Sequence, residues 1–377
     1  NNFKIYTILI LIFAVSTPLF SFNEKFSYSK GPLYGKNIYV PFLIHQHLPG
    51  TEAVVKKPGT LTLYNTMYYS QAFSVYALKK DEYGKIYPAE RVVDFESFVF
   101  ESGLSYAINK NWEIGGMWRI ISYYGGFLDA FTENFHNLFG FPNAGRELVP
   151  QYEVVIDFRT NNGMDITLNH ATVGFGDIDL WGKYNFFRNR YVDSAFQFGV
   201  KIPTGNLQQV TGSEAPDFTA GLLLDVYPIK YLSLFFQAGI VVPLNSIVPA
   251  QYKPYPMFNG LFAIEISPVR FFSIVAQMNF RTSPVTGDNL IMNNLGLIAD
   301  KVGSVQTNLL VGVVFQYKQW RFQIYFEEDT FTNSGVDYTA CASVSTKIKT
   351  FEIGGKMNTN NFNKWVTVWG NAMSITD

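Results

Sequence analysis

The side chains best able to make and break bonds are few: His45, His47, His136, His170 and the single cysteine Cys341. An acyl hydrolase at a membrane surface needs a serine activated by a histidine, which a third polar group holds in place. Asn169 stands beside His170 and could orient its ring, but no serine-containing motif offers itself as partner. His136 is the other candidate for a lipid-modifying enzyme. His45 and His47 share one face of an extended segment, and without a third ligand they are not expected to hold a metal. One cysteine allows neither an intramolecular disulfide nor a cysteine-rich zinc site. Gly174-Phe175-Gly176 has part of a nucleotide-loop spacing, but no helix follows it. The expectation is therefore no catalytic residue, no metal and no cofactor.

The charged residues carry more information. They make up only 16% of the chain and nearly balance, at a net charge of −1, so no nucleic-acid partner is implied. Asp177, Asp179, Lys183, Lys201, Asp217, Asp225, Arg281, Arg321, Glu327 and Asp329 fall at alternate positions within segments whose other positions are apolar. In 177–186, Ile178, Leu180, Gly182, Tyr184 and Phe186 oppose Asp177, Asp179, Trp181, Lys183 and Asn185. In 272–281, Phe272, Ile274, Ala276, Met278 and Phe280 oppose Ser273, Val275, Gln277, Asn279 and Arg281. Segments 218–226 and 320–329 repeat the pattern, which marks strands with two unlike faces.

The polar faces hold Gln, Asn, Ser, Thr and Gly with isolated charges of both signs, whereas the outside of a soluble sandwich is richly charged. Aromatic residues reach 17%, led by 35 Phe and 23 Tyr, types suited to strands and membrane interfaces. A sheet in hydrocarbon must close on itself, because lipid offers unpaired backbone groups no partner. The fold expected is all-β: a transmembrane antiparallel up-and-down β-barrel whose lumen carries the ten charges as a polar network. Mixed sign argues for mutual ion pairing and against a selectivity ring of one charge.

Organisation follows. Lys4 and the apolar run Ile5–Val15 read as an export signal, too short for the ~20 residues that span a bilayer. Residues 1–21 are expected as signal peptide, 22–58 as an N-terminal segment or plug, and 59–377 as the barrel. Pro32, Pro41, Pro49 and Pro58 disfavour a regular strand in the second part. Short turns are expected at 109–111, 188–190, 228–230, 268–270, 318–319 and 347–349. Longer polar stretches alternate with them, giving about 14 strands, or 12 if 350–357 and 365–373 do not contribute. Asn161-Asn162-Gly163 between 154–158 and 166–170 signals a hairpin above the membrane.

The longest loop holds one short amphipathic helix. Phe127, Leu128, Phe131, Phe135, Leu138 and Phe139 fall within an arc of about 120°, opposite Asp129, Glu133, His136 and Asn137. Two readings stay open: a lid or interfacial helix packed on the barrel rim, or a hydrophobic gate for an apolar ligand.

Gly31-Pro32-Leu33, Asn37 and Pro41 resemble the amino-terminal stretch of a bacterial family of exported barrels, the domain of unknown function 3187. The segment 135–146, Gly174-Phe175-Gly176-Asp177, Lys201–Gly205 and Asp217-Phe218 extend the resemblance over roughly residues 31–330. That family is similar to barrels associated with uptake of aromatic and long-chain apolar compounds. The resemblance implies the bacterial outer membrane and, by analogy, transport of a small apolar ligand; the barrel itself implies outer-membrane lipid and the insertion machinery as partners. The expectation is a monomeric barrel passing small hydrophobic or weakly polar molecules. A surface-exposed structural or adhesion barrel without transport is the main alternative.

Overall fold

The computed structural model describes residues 27–349 apart from 48, 76–77, 81–82, 84–85, 89–90, 141–142, 144–145, 147–149, 160–161, 247–251, 286–304, 330–335 and 337. The expected signal peptide, 1–21, lies outside the described residues. The strands are β1 (Thr60–Val75), β2 (Leu78–Lys80), β3 (Ile86–Pro88), β4 (Arg91–Ala107), β5 (Trp112–Tyr124), β6 (Val155–Arg159), β7 (Asp165–Leu168) and β8 (Thr172–Phe175). They continue as β9 (Ile178–Arg188), β10 (Val192–Ile202), β11 (Asp217–Ile229), β12 (Leu232–Pro243) and β13 (Met257–Val269). The last are β14 (Phe272–Arg281), β15 (Gln306–Tyr317), β16 (Trp320–Asp329) and β17 (Tyr338–Lys349).

Twelve of them, β1, β4, β5 and β9–β17, pair antiparallel in a closed ring, because β1 bonds to β4 on one side and to β17 on the other. The wall thus holds the lower of the two expected counts. Residues 350–357 and 365–373 lie outside the described residues, and the ring closes without them. Lys347–Lys349, expected as a turn, is the end of β17, where Lys349 faces Thr60 and Lys347 faces Thr62. Three more strands extend the sheet beyond the ring: β6 pairs with β4 and β7, forming the expected hairpin, and β8 pairs with β5.

Five short turns lie at the end of the barrel where β1 begins. Two use one device: the Asn109 side-chain oxygen accepts from the N–H groups of Asn111 (2.8 Å) and Trp112 (2.9 Å). Asn189 does the same for Tyr191 and Val192, both at 2.7 Å. The asparagines satisfy backbone donors that the ladder cannot reach. Alternation holds along the wall. On β16, Phe322, Ile324 and Phe326 are exposed outside, while Arg321, Gln323, Tyr325 and Glu327 are buried inside. No helix among the described residues is long and apolar enough to cross a membrane. The outer face does present a continuous apolar surface, from Phe196 and Phe218 to Ile274 and Phe322. The largest apolar cluster sits inside, where Val40, Phe42 and Leu43 join Phe95, Val99, Ile121, Tyr123 and Ile156.

Ile324, mid-strand and 61% exposed, is placed to face hydrocarbon. An arginine there should cost about 2–4 kcal/mol of folding free energy in lipid vesicles, read from the urea midpoint. An unshifted midpoint would put this face outside the bilayer.

Candidate functional site

The lumen is occupied by the chain itself. Residues 27–59 enter at the short-turn end, where the Tyr28 N–H donates to the Lys230 carbonyl (3.0 Å). Their side of the wall answers residue by residue. Glu265 on β13 accepts from the Lys30 N–H (2.8 Å) and the Ser29 hydroxyl (2.9 Å). The Leu33 N–H donates to Gln277 on β14 (2.9 Å), and Arg321 on β16 donates to the Pro32 carbonyl (2.9 Å). Tyr68 and Tyr325 both donate to the Tyr34 carbonyl. Lys36 meets Glu101 on β4 at 2.7 Å, and Asn37 meets Gln306 on β15 at 2.6 Å.

At the long-loop end the segment turns through a short helix, Val40–Leu43, with Pro41 in its first turn. Lys201 donates to the Ile44 carbonyl (2.7 Å) and Arg281 to the Gln46 carbonyl (2.7 Å). Asp217 accepts from the Gln46 N–H (2.7 Å) and lies 3.2 Å from His45 Nδ1, while His45 Nε2 contacts the Tyr252 hydroxyl at 3.0 Å. The returning leg is held by Gln237 to the Thr51 carbonyl (2.6 Å), Lys183 to the Glu52 carbonyl (2.8 Å) and the Ala53 N–H to Asp225 (2.8 Å). Lys56 then reaches Glu113 at 2.7 Å, and the Gly59 N–H joins the Ala107 carbonyl (2.9 Å) where β1 begins.

Nine of the ten expected charges, all but Asp329, are buried inward. The Asp329 side chain lies outside the description. Lys201 pairs with Asp177 at 2.8 Å and with Asp217 at 3.3 Å. Asp179 pairs with Arg119, Lys183 with Glu113 (3.2 Å), and Arg281, Arg321 and Asp225 bind the segment's backbone. Glu101, Glu113, Arg119 and Glu265 were absent from the expected set, yet each lies at an inward position of an alternating strand. The same period identifies them. Lys30, Lys36, His45 and Lys56 carry no such signal, since a coil has no period.

The His47 Nε2–H donates to the Gly35 carbonyl at 2.8 Å. Between His47, Asn37 and the β10–β16 wall a cavity of about 50 Å³ remains, lined by Gln197, Gln237, Asn259, Asn279 and Asn308. Gly221 and Gly239 face it with no side chain.

The expected gate residues lie elsewhere. The helix spans Asp129–Phe139, and Phe127, Phe131, Phe135 and Leu138 are exposed while Asp129 and Thr132 are buried. Leu128 is half-buried, and the Phe139 side chain lies outside the description. The side turned to the barrel is polar, because Gln71 on β1 donates to Asp129 (2.7 Å) and accepts from Thr132 (2.6 Å). His170 is exposed, with Asn169 3.4 Å away, and His45 is buried between Asp217 and Tyr252.

Residues 9–286 match the family described as Protein of unknown function (DUF3187). The chain belongs to that family. No protein of curated function matches it. Among solved structures, the COG4313 outer membrane channel from Pseudomonas putida F1 is similar over 80% of this chain and 100% of its own. Its identity is 9% and its TM-score 0.52, which shows a shared fold for this DUF3187 member. The NanC porin (6% identity, 76% of this chain and 100% of its own, TM-score 0.41) is more distant. So is the P. putida toluene transporter TodX (10%, 85% and 99%, TM-score 0.37). The DUF3187 chain thus has the barrel fold of an outer-membrane channel, with its own segment through the bore.

Lys36, Glu101, Arg119 and Asp179 form a buried, charge-balanced group. Removing one member leaves an uncompensated charge, so Lys36→Met and Glu101→Gln should each cost about 3–5 kcal/mol in denaturant unfolding. The double variant restores balance and should lose clearly less than the sum. Strict additivity would show that the two side chains do not interact.

Proposed function

We propose that this chain is an outer-membrane channel for small hydrophobic or weakly polar molecules, closed at rest by residues 27–59. The observation that carries the reading is how the segment is held. Among the described residues its backbone bonds to the wall backbone only at its ends, Tyr28 to Lys230 and Gly59 to Ala107. Between them the grip is by side chains, which can exchange their partners for water without breaking a ladder.

The wall around the cavity carries small or carboxamide side chains, among them Thr219, Gly221, Gln237, Gly239 and Asn259 on β11–β13. A solute there would meet carboxamides and no uncompensated row of one charge, which favours uncharged molecules. At the long-loop mouth the apolar apex of the segment, Val40, Phe42 and Leu43, gathers with Leu207 and Val210. A solute arriving from that end meets this apolar layer first, and it supports the hydrophobic part of the substrate class. The fold shared with an outer-membrane channel supports the location.

Single-channel recording in planar bilayers tests this with three proteins: wild type, a deletion of 27–52, and Gly35→Cys/Asn279→Cys in a Cys341→Ala background. A side chain at Gly35 would meet the Asn279 carboxamide, so the two positions are neighbours suited to a cross-link. Wild type should conduct rarely, the deletion steadily, and the bonded variant only after reduction. A properly folded deletion that stays silent would overturn the channel and leave the surface-exposed structural barrel. Equal conductance before and after reduction would show that the segment does not move.

A further inference from the structure

The rim helix Asp129–Phe139 is oriented opposite to an ordinary surface helix. Its carboxylate and hydroxyl face the protein, and its aromatic rings face away. The cause lies in two polar residues on the outer wall. Met67, Phe98 and Leu104 show which faces of β1 and β4 point outward, and Gln71 and Glu96 share those faces further toward the long-loop end. Gln71 and Glu96 are nevertheless buried, at 1% each, because the helix covers them.

The docking is specific. Glu96 accepts from the N–H groups of Phe127 (2.8 Å) and Leu128 (2.6 Å), donors at the helix start that have no partner within the helix. Tyr69 also donates to Glu96. Gly126 makes the approach feasible: its φ is +71°, and a Cβ there would collide with the Glu96 carboxylate. Gln71 bridges to Asp129 and Thr132, Asp129 accepts from the Tyr152 N–H (2.6 Å), and Arg146 lies over the Phe73 ring at 4.5 Å.

The helix therefore lies against the outside of the barrel, and its free face continues the outer apolar surface. The Phe127 ring lies 5.9 Å from Tyr69, which lies 6.3 Å from Tyr124, and Phe131 stacks on Phe135. Depth is consistent with this. Leu61 to Tyr69 covers about 26 Å of strand at ~3.3 Å per residue. A tilt of ~40° reduces that to about 20 Å of a ~25 Å apolar band, which places Gln71 and Glu96 at its edge.

We propose that the rim helix is a membrane-interface element: Phe127, Phe131, Phe135 and Leu138 insert into the lipid at the long-loop edge of the bilayer, while Asp129 and Thr132 fasten the helix to the barrel. The occupant is lipid because the face is contiguous with the lipid-facing wall and lies at its margin. An interfacial helix has this pattern, one face in the headgroup–acyl boundary and the other held outside it. The polar side here is satisfied by the wall in place of water.

Spin labels test it in liposomes, at cysteines replacing Phe131, Phe135, Leu138, Glu133 and Asn137 one at a time in a Cys341→Ala background. Ile324→Cys serves as the lipid reference and Lys253→Cys as the aqueous one. Labels at 131, 135 and 138 should favour oxygen over a nickel chelate, toward the Ile324 value, and 133 and 137 should resemble Lys253. Chelate access at 131, 135 and 138 equal to that at Lys253 would overturn the proposal. Conductance of Phe131→Ser/Leu138→Ser gives an independent arm, expected to match wild type. A several-fold rise would make the helix a lid on the pore and also overturn the proposal. The label readout does not depend on conduction, so the channel reading can fail without it.

Discussion

A coil that threads a membrane barrel brings with it backbone groups that neither a ladder nor the lipid can satisfy. That constraint shapes the lumen. Each exposed carbonyl or N–H of residues 27–59 must find a donor or acceptor on the wall, and an unmet one costs about 1–3 kcal/mol. The inward charges are placed accordingly. Arg281, Arg321, Lys183 and Lys201 supply donors to carbonyls, while Glu265, Asp217 and Asp225 accept from N–H groups. Charges doing this work must themselves be balanced, and the segment's own Lys36 and Lys56 return the balance at Glu101 and Glu113. Wall and segment are therefore complementary, and neither composition makes sense alone.

The same accounting at the outer edge explains the inverted helix. Two polar outward residues, Gln71 and Glu96, would face the membrane margin uncovered. The backbone of 126–128 and the polar side of the helix cover them, and the aromatic side then has nowhere to go but outward. Inside and outside, polar groups at the barrel's surfaces are met by a piece of the chain that belongs to no barrel strand. In both places the covering piece meets the wall's polar groups with polar groups of its own. At the long-loop mouth the segment's apex is apolar and gathers with Phe95 and Val99 of β4 and Ile121 and Tyr123 of β5.

This pattern also decides what could be read from the sequence. Period-two alternation is local, so the facing of Asp177, Lys183 or Ile324 was legible, and Glu101, Glu113 and Arg119 follow the same rule. The hairpin around Asn161-Asn162-Gly163 was legible for the same reason. That the sheet closes was legible from the lack of edge partners in lipid, but which strands close it was not, since β1 meets β17 across nearly the whole chain. Lys347-Ile348-Lys349 has turn-like charge but lies in that closing pair. The helix was legible as an element, from spacing alone, but its orientation was not. The rule that an apolar face turns to the protein assumes water outside and an apolar wall inside, and here Gln71 and Glu96 reverse the second condition. The path of residues 27–59 was illegible because its wall contacts join an aperiodic coil to strands distant along the chain.

Buried ion pairs specify position more than they add stability, because desolvating both ions offsets most of their attraction. The grip on the segment is of this kind at Lys36, Lys56 and Asp217. Replacing such contacts with apolar ones would have held the segment without fixing its register. Pairing it as a thirteenth strand would have fixed it with a ladder that no small solute could displace. Side-chain contacts from nearly every wall strand do something different. They define one seat for the segment, while each contact alone is worth little net free energy once water can replace it. Under the proposed function, a closure with those properties is well placed but exchangeable, and that combination is what a bore needs to be shut and still available.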